Sequence, residues 1–166
     1  MTRRQRVYAA AGQRQSSRAG FIVTNEAVHV CAVNHEGANM SVEFLGSMRA
    51  GAGGQPLPFS PAVRAGPFVF ISGQVPMGEN GEIVPGGIEA QTRQALSNVQ
   101  RALTLAGCTL DDVVKATVWL DDARDFWTFN RVYAEFFAGN KPARSTTQAK
   151  LMVDAKVEIE VIAYKA

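Results

Sequence analysis

One arginine and two glutamates near the C-terminus are the residues of this chain best suited to chemistry. Arg144 follows Pro142, which stiffens the backbone ahead of it, and Glu158 and Glu160 alternate with apolar residues as in a strand. A guanidinium stays protonated and can bind a carboxylate through two parallel hydrogen bonds, whereas a glutamate can hold water or transfer a proton. If the strands that carry Arg144 and Glu158 pair, these groups share one pocket suited to a small anionic substrate.

Each of these residues also has a purely structural explanation. Arg144 could form a salt bridge or lie on a solvated face, because exposed charges contribute little in most proteins. Glu158 and Glu160 could simply form the polar face of a half-buried strand. The local pattern alone therefore leaves open whether these residues form a site or a surface.

Other candidate residues carry weaker signals. The pair Ser72-Gly73 ends an apolar run, where a glycine lets backbone N–H groups approach a ligand, although an ordinary turn explains it too. Asn130 lies among aromatic residues at helical spacing, where a buried amide needs hydrogen-bond partners. His29 and His35 are six residues apart without acidic or cysteine companions in metal-ligand spacing, so we predict no metal site.

The elements that must position these residues follow a regular pattern from Leu57 onward. β-Branched and apolar runs predict strands, three- and four-residue apolar spacing predicts helices, and glycine or proline pairs predict turns. The predicted elements are a hairpin of residues 62–64 and 68–72, a helix over 88–106, a strand over 113–120, a helix with an aromatic stripe over 126–137, and strands over 146–152 and 157–164. This β-β-α-β-α-β-β order indicates an α+β fold with both helices on one face of a single sheet. The other face would stay apolar, so we expect a homo-oligomer.

The first twenty residues have an unusual composition. They contain five arginines and two serines and no acidic residue, which is typical of an organelle transit peptide. An upstream translation start or a disordered tail is the alternative, with Met40 as a possible authentic start. We therefore expect a cytoplasmic protein, or a mitochondrial one if residues 1–20 act as a transit peptide.

The rest of the N-terminal region predicts little regular structure. Residues 21–33 are apolar enough for a short strand or an accessory flap, and residues 40–55 contain the glycines of a flexible linker. We predict an N-terminal extension over residues 1–50 and one main domain over residues 51–166.

Composition excludes several classes of protein. The chain of 166 residues is 46% hydrophobic, which is enough for one ordinary core. A net charge of +2 without a basic, aromatic-interleaved run argues against a nucleic-acid partner, and no apolar run approaches the roughly 20 residues of a membrane helix. Cys31 and Cys108 match no metal or redox spacing, so reduced thiols are expected.

A family resemblance covers the region from about residue 57 to 166. The chain resembles the RidA family of reactive-intermediate deaminases, also called YjgF/YER057c/UK114. The segments that carry the resemblance are FISGQVP (70–76), QTRQALSNV (91–99), VVKATV (113–118), FNRVYAEFF (129–137), PARS (142–145) and EIEVIA (158–163). Because they lie in the same order as in the family, a chance match is very improbable.

The resemblance implies a fold, an assembly and an activity. It implies a chorismate-mutase-like fold, a homotrimer with sites in the clefts between subunits, and cofactor-free hydrolysis of 2-iminobutanoate and 2-iminopropanoate to 2-oxo acids and ammonia. By position, Arg144 would bind the substrate carboxylate and Glu158 would act through water. The other implied substrate-binding residues are Ser72, Gly73, Asn130, Phe59 and Thr146.

Two of these positions depart from the family pattern. Phe59 stands where many members have a tyrosine, and Thr146 stands where many have a cysteine. These two departures suggest one alternative, a deaminase of another substrate such as 2-aminomuconate. A second alternative is a non-catalytic module whose cleft binds 2-oxo acids. RNA cleavage has been attached to family members, but the main domain here has no histidine pair and no basic stripe.

Overall fold

The computed structural model describes residues 23–24, 27–35, 38–47 and 57–166, which form one mixed sheet and two helices. The strands are β1 (Val23–Thr24), β2 (Ala27–His35), β3 (Ala38–Leu45), β4 (Ala62–Ala65), β5 (Phe68–Gln74), β6 (Val113–Leu120), β7 (Ala143–Gln148) and β8 (Val157–Tyr164). The helices are α1 (Ile88–Thr104) and α2 (Phe126–Phe136). The predicted order is confirmed from β4 to β8, and the fold is α+β.

The sheet runs in the order β1-β2-β3-β4-β5-β8-β6-β7. Every neighbouring pair is antiparallel except β6 and β7, which are parallel. A parallel pair needs a crossover, and α2 provides it between these two strands. β6 and β8 are central strands, whereas β7 forms one edge of the sheet.

The two helices pack side by side on one face of the sheet. Alternate residues of β5, β6 and β8 point toward them, because side chains alternate between the faces of a strand. Among the fully buried residues of this layer are Val69, Leu96, Leu103, Val118, Phe129, Ile159 and Val161. Gly107, with a φ of 64°, follows the last turn of α1, as a helix-terminating glycine does.

Apolar side chains remain on the opposite face of the sheet, which we call the open face. Phe44, Phe68, Phe70 and Tyr164 are between 39% and 45% exposed there. The rings of Phe68 and Tyr164 stand edge to face with centroids 5.3 Å apart. The apolar open face matches the sequence-based expectation, and the homo-oligomer inferred from it stays a prediction.

Two predicted segments differ from the structure. β3 occupies residues 38–45, where the sequence predicted the start of a linker, because it pairs antiparallel with β2 along its length and with β4 from Val42↔Ala65 to Leu45↔Ala62. Pairing on both sides stabilises a strand whose own glycine-containing surroundings predict none. Residues 48–56 of the predicted linker lie outside the described residues, as do residues 1–22. Strands from both sides of residue 50 belong to one sheet, and the domain boundary there stays a prediction.

The limits of β7 also differ from the prediction. This strand covers Ala143–Gln148 instead of residues 146–152, because its parallel register with β6 runs from Lys115↔Ala143 to Leu120↔Gln148. Ala149 then donates its N–H to the Leu120 carbonyl over 2.9 Å and the chain leaves the sheet. Neither α1 nor α2, nor any other helix in the described part of the chain, could span a bilayer.

Candidate functional site

Arg144 lies in the edge strand β7 with its side chain on the helix-covered face. Its register partner in β6 is Ala116, which is fully buried under the helices. The Arg144 Cζ lies 4.6 Å from the ring centroid of Tyr133 and 5.2 Å from that of Phe129. Its Nη2 donates a hydrogen bond of 2.6 Å to Asn130 Oδ1. Three residues of α2 therefore surround this guanidinium.

These contacts fix the guanidinium in one orientation. Each cation–π contact contributes about 0.5–2 kcal/mol, depending on how far water is excluded. The Tyr133 ring is in turn stacked on Phe137, with centroids 4.5 Å apart. No acceptor besides Asn130 takes a hydrogen bond from Arg144 within the described part of the chain. The Arg144 guanidinium is thus fixed in place, and it retains N–H donors that can bind a ligand.

Two hydroxyl groups near Arg144 are buried without a hydrogen-bond partner in the described structure. They are Thr146 Oγ1 and the Tyr133 hydroxyl. Thr146 shares the face of Arg144, since it lies two residues further along β7 and opposite the buried Val118. Burial raises the pKa of Tyr133 to about 12, so its hydroxyl stays protonated. We call Arg144, Asn130, Tyr133, Phe129 and Thr146 the arginine half-site.

Glu158 lies in β8 with its side chain on the open face. Its register partner in β6 is Trp119. In β5, the pairs Ile71↔Val161 and Gln74↔Ile159 leave two residues, Ser72 and Gly73, opposite a single residue of β8. This two-against-one count is a β-bulge, a feature that redirects side chains at a strand end.

The bulge places Gly73 directly under the Glu158 carboxylate. A Cβ atom added at Gly73 would lie 2.0 Å from Glu158 Oε1 and 3.0 Å from Cδ. A side chain at this position would therefore displace the Glu158 carboxylate, so the glycine matters here for close approach rather than for a turn. The carboxylate and the Gly73 backbone form one contact surface.

The surroundings of Glu158 change its protonation. Partial burial, followed by the nearby charge of Glu160, raises the pKa of the Glu158 carboxyl above its usual value. A carboxyl with a raised pKa exchanges protons more readily near neutral pH. Of the described residues, no cluster of three or more His, Cys, Asp or Glu side chains could hold a metal ion.

Ser72 is engaged by the loop that precedes β4. Its hydroxyl donates to the Ser60 carbonyl over 2.7 Å and its N–H donates to the Pro61 carbonyl over 3.1 Å. Phe59, 48% exposed, belongs to this same loop. Both Ser72 donors therefore hold the loop. We call Glu158, Gly73, Ser72 and Phe59 the glutamate half-site.

A cleft of about 220 Å³ opens beside Glu158. Its walls are contributed by Trp119 of β6 and by the loop that follows β7. The remaining lining residues are Ala149, Lys150, Leu151 and Met152. Sequence reasoning missed them because it assigned residues 146–152 to a strand. It also missed the contacts of Phe129 and Tyr133 with Arg144, because an aromatic stripe at helical spacing indicates only a helix that packs on the sheet.

The strands that carry Arg144 and Glu158 do not pair, so the condition for a shared pocket is not met. β6 lies between β7 and β8, so about 10 Å of sheet separates the two strands. Through Ala116, Arg144 aligns with Val161, which is three residues from Glu158. Side chains alternate between the two faces of a strand, so residues three positions apart point to opposite faces. The Arg144 and Glu158 side chains therefore lie on opposite faces of the sheet. Within one chain they do not share a pocket.

Comparisons with known proteins identify the family. The family model described as Endoribonuclease L-PSP matches residues 54–165. The chain belongs to this family, the YjgF/RidA family. A RutC family protein of Pyrococcus horikoshii is 50% identical over 110 residues, which cover 65% of this chain and 87% of that relative.

Two further family members have more informative names. A 2-iminobutanoate/2-iminopropanoate deaminase of Mus musculus is 44% identical over 108 residues, covering 64% of this chain and 80% of the relative. The crystal structure of E. coli TdcF with bound serine matches with a TM-score of 0.64 and 39% identity. That match covers 71% of this chain and 94% of TdcF. The YjgF/RidA match thus spans the elements that carry both half-sites.

Proposed function

We propose that this protein hydrolyses 2-iminobutanoate and 2-iminopropanoate to 2-oxo acids and ammonia without a cofactor. The observation that carries the proposal is the Arg144 guanidinium, held by Asn130 and two aromatic rings with donors left for a carboxylate. The Mus musculus relative named for this activity supports the reaction. Serine bound to TdcF supports a ligand of amino-acid size that carries a carboxylate.

We further propose that two copies of the chain build each active site. The arginine half-site faces the helices and the glutamate half-site lies on the open face, so one small substrate reaches both only between copies. The exposed aromatic residues of the open face provide apolar surface for association. A homotrimer with chorismate-mutase-like packing, as the resemblance implies, would place three such sites in its clefts.

The proposed reaction divides the chemistry between the half-sites. Arg144 binds the substrate carboxylate, and Glu158 directs a water molecule to the imine carbon. The water oxygen bonds to that carbon while a proton reaches the nitrogen. The resulting carbinolamine loses ammonia as the C–N bond breaks and the C=O bond forms. Glu158 returns the proton that it accepted, so the cycle consumes one water and needs no oxidant.

The remaining site residues have supporting roles in this proposal. Asn130 orients the guanidinium, and Thr146 offers its unpartnered hydroxyl to the bound carboxylate. Gly73 makes room for the Glu158 carboxylate, Ser72 anchors the adjoining loop, and Phe59 presents a ring from that loop. Phe59 contributes apolar contact only, where a tyrosine would add a hydroxyl.

Trapping with semicarbazide tests the proposed activity. 2-Aminoacrylate and 2-aminocrotonate, generated in situ by a dehydratase, tautomerise to imines that semicarbazide captures. Wild-type protein should suppress semicarbazone formation, and Arg144→Ala should reduce kcat/KM by about 100-fold or more, because the substrate loses its bidentate partner. Arg124→Ala, at an arginine whose side chain is 90% exposed, is the matched control and should behave as wild type.

The same assay separates the alternatives. If folded wild-type protein does not compete with semicarbazide for either imine, the deaminase proposal is wrong. Tight binding of 2-oxobutanoate without any turnover would then indicate a binding module, and turnover of 2-aminomuconate would indicate a different substrate.

A further inference from the structure

One face of α1 carries a row of polar side chains that the proposed chemistry leaves unused. The row, which we call the polar stripe, consists of Gln91, Gln94, Asn98 and Arg101, spaced three or four residues apart along one side of the helix. Gln91 and Asn98 are only 6% and 4% exposed. Buried amides need hydrogen-bond partners, and those of the stripe lie largely on backbone segments outside α1.

Asn98 holds the chain that leaves the β5 bulge. Its Nδ2 donates to the carbonyls of Val75, over 2.9 Å, and Met77, over 3.0 Å. Its Oδ1 accepts hydrogen bonds from Gln94 Nε2 at 3.0 Å and Arg101 Nη2 at 2.6 Å. All four hydrogen-bonding positions of the amide are thus occupied. Residue 75 follows Gly73 by two positions, so Asn98 binds the backbone directly after the bulge.

Gln91 holds the segment that enters β8. Its Oε1 accepts a hydrogen bond of 2.7 Å from the Lys156 N–H, two residues before Glu158. Its Nε2 donates to the Val84 carbonyl over 3.2 Å. Gln91 therefore connects the start of β8 to Val84, near the end of the loop between β5 and α1. Asn98 binds the beginning of the same loop.

We propose that Gln91 and Asn98 are positioning residues that place the Glu158 carboxylate over Gly73. The ladder between β5 and β8 is irregular at the bulge, so strand pairing alone leaves the local spacing free. Two amides on one rigid helix hold both backbone segments and set that spacing. The inference rests on the proposed function, because it assigns these residues to the same site.

Kinetics of Gln91→Met test the proposal. Methionine keeps the length of the side chain and removes both hydrogen bonds, so kcat should fall about 10- to 100-fold as Glu158 shifts relative to the substrate. KM should stay within about three-fold, because Arg144 still binds the carboxylate. Gln91→Glu keeps the acceptor for the Lys156 N–H but loses the donor to the Val84 carbonyl, so it should recover kcat only in part. Gln91→Asn, whose amide is one methylene shorter, should resemble Gln91→Met.

Two control variants on the same helix separate positioning from stability. Thr92→Val removes a buried hydroxyl that has no partner in the described structure and should leave kcat unchanged. Leu103→Ala opens a cavity in the core and should lower Tm at least as much as Gln91→Met while preserving kcat well below Tm. Wild-type kcat in folded Gln91→Met and Gln91→Asn would overturn the proposal. An equal loss of kcat in Leu103→Ala would overturn it as well.

Crystal structures of the wild type and Gln91→Met distinguish failure of this inference from failure of the proposed function. If the wild type hydrolyses no imine, the function is wrong, yet a Glu158 carboxylate displaced from Gly73 in the variant still supports the positioning role. A carboxylate that stays over Gly73 in Gln91→Met overturns that role whatever the activity.

Discussion

The two half-sites are built by different means. In the arginine half-site, side chains of α2 hold another side chain: two rings and an amide surround the Arg144 guanidinium. In the glutamate half-site, backbone geometry dominates, because a bulge and a missing side chain at Gly73 make room for Glu158. The position of Arg144 depends on several contacts, whereas the position of the Glu158 carboxylate depends on its close approach to Gly73.

This difference predicts different tolerance to substitution. Loss of one contact around Arg144 leaves the others in place, so such variants should weaken the site gradually. By contrast, a single methyl group at Gly73 would clash with the Glu158 carboxylate. The comparison also has a spatial side, since the two half-sites lie on opposite faces of the sheet and are proposed to meet only between copies.

The largest expected effect comes from mixing two inactive variants. Arg144→Ala and Glu158→Gln should each lose at least about 100-fold in kcat/KM, since each removes one essential group. In oligomers formed by co-refolding equal amounts, about a quarter of the sites should combine an intact arginine half-site with an intact glutamate half-site and regain activity. Semicarbazide trapping measures the recovery.

As a control, each variant is refolded alone, and neither should regain activity. If the mixture stays as inactive as its parents although the oligomers have exchanged subunits, both half-sites act within one chain and the two-copy proposal is wrong.

An intermediate effect is expected for Gly73→Ala. The added Cβ would lie 2.0 Å from Glu158 Oε1, so the carboxylate must move and kcat should fall about 10- to 100-fold. Gly87→Ala is the matched control, because a Cβ at Gly87 meets nothing within 4 Å. Asn130→Ala should cost less than Gly73→Ala, since both rings still hold Arg144. The reverse ranking in kcat/KM would contradict the comparison between the half-sites.

The smallest effect is a pH dependence of stability. Burial and Glu160 raise the pKa of Glu158 above its ordinary value of 4.5, so the folded protein binds the proton more tightly than the unfolded chain. Wild-type stability from this group is therefore present at low pH and is lost as pH rises through the folded pKa. Glu158→Gln cannot ionise and should gain Tm relative to wild type over that range.

Thermal unfolding of both proteins between about pH 4 and 8 measures this difference. Glu160→Gln should lower the pKa of Glu158 and reduce the pH dependence, which provides an internal check. A Tm difference that is constant with pH would show that Glu158 is not perturbed by its surroundings.

Much of the fold could be predicted because local patterns report local structure. The apolar alternation around Ile159, the helical spacing of Leu96 and Leu103, and Gly107 after α1 each act over a few residues. β3 was missed because it is defined by pairing with β2 and β4, and the contacts with β4 join residues some twenty positions apart that no local pattern encodes. The C-terminal limit of β7 depends in the same way on its register with β6.

The sequence by itself determined the family, the order of elements from β4 to β8, and the residue types available for chemistry, because motifs and periodicities are properties of the chain. Only the tertiary structure decided which of these residues meet. It inserted β6 between β7 and β8, turned Arg144 toward Asn130 and the α2 rings, and set Glu158 against Gly73 on the other face. Strand order and bulges follow from the packing of the whole sheet, which no short segment of sequence encodes.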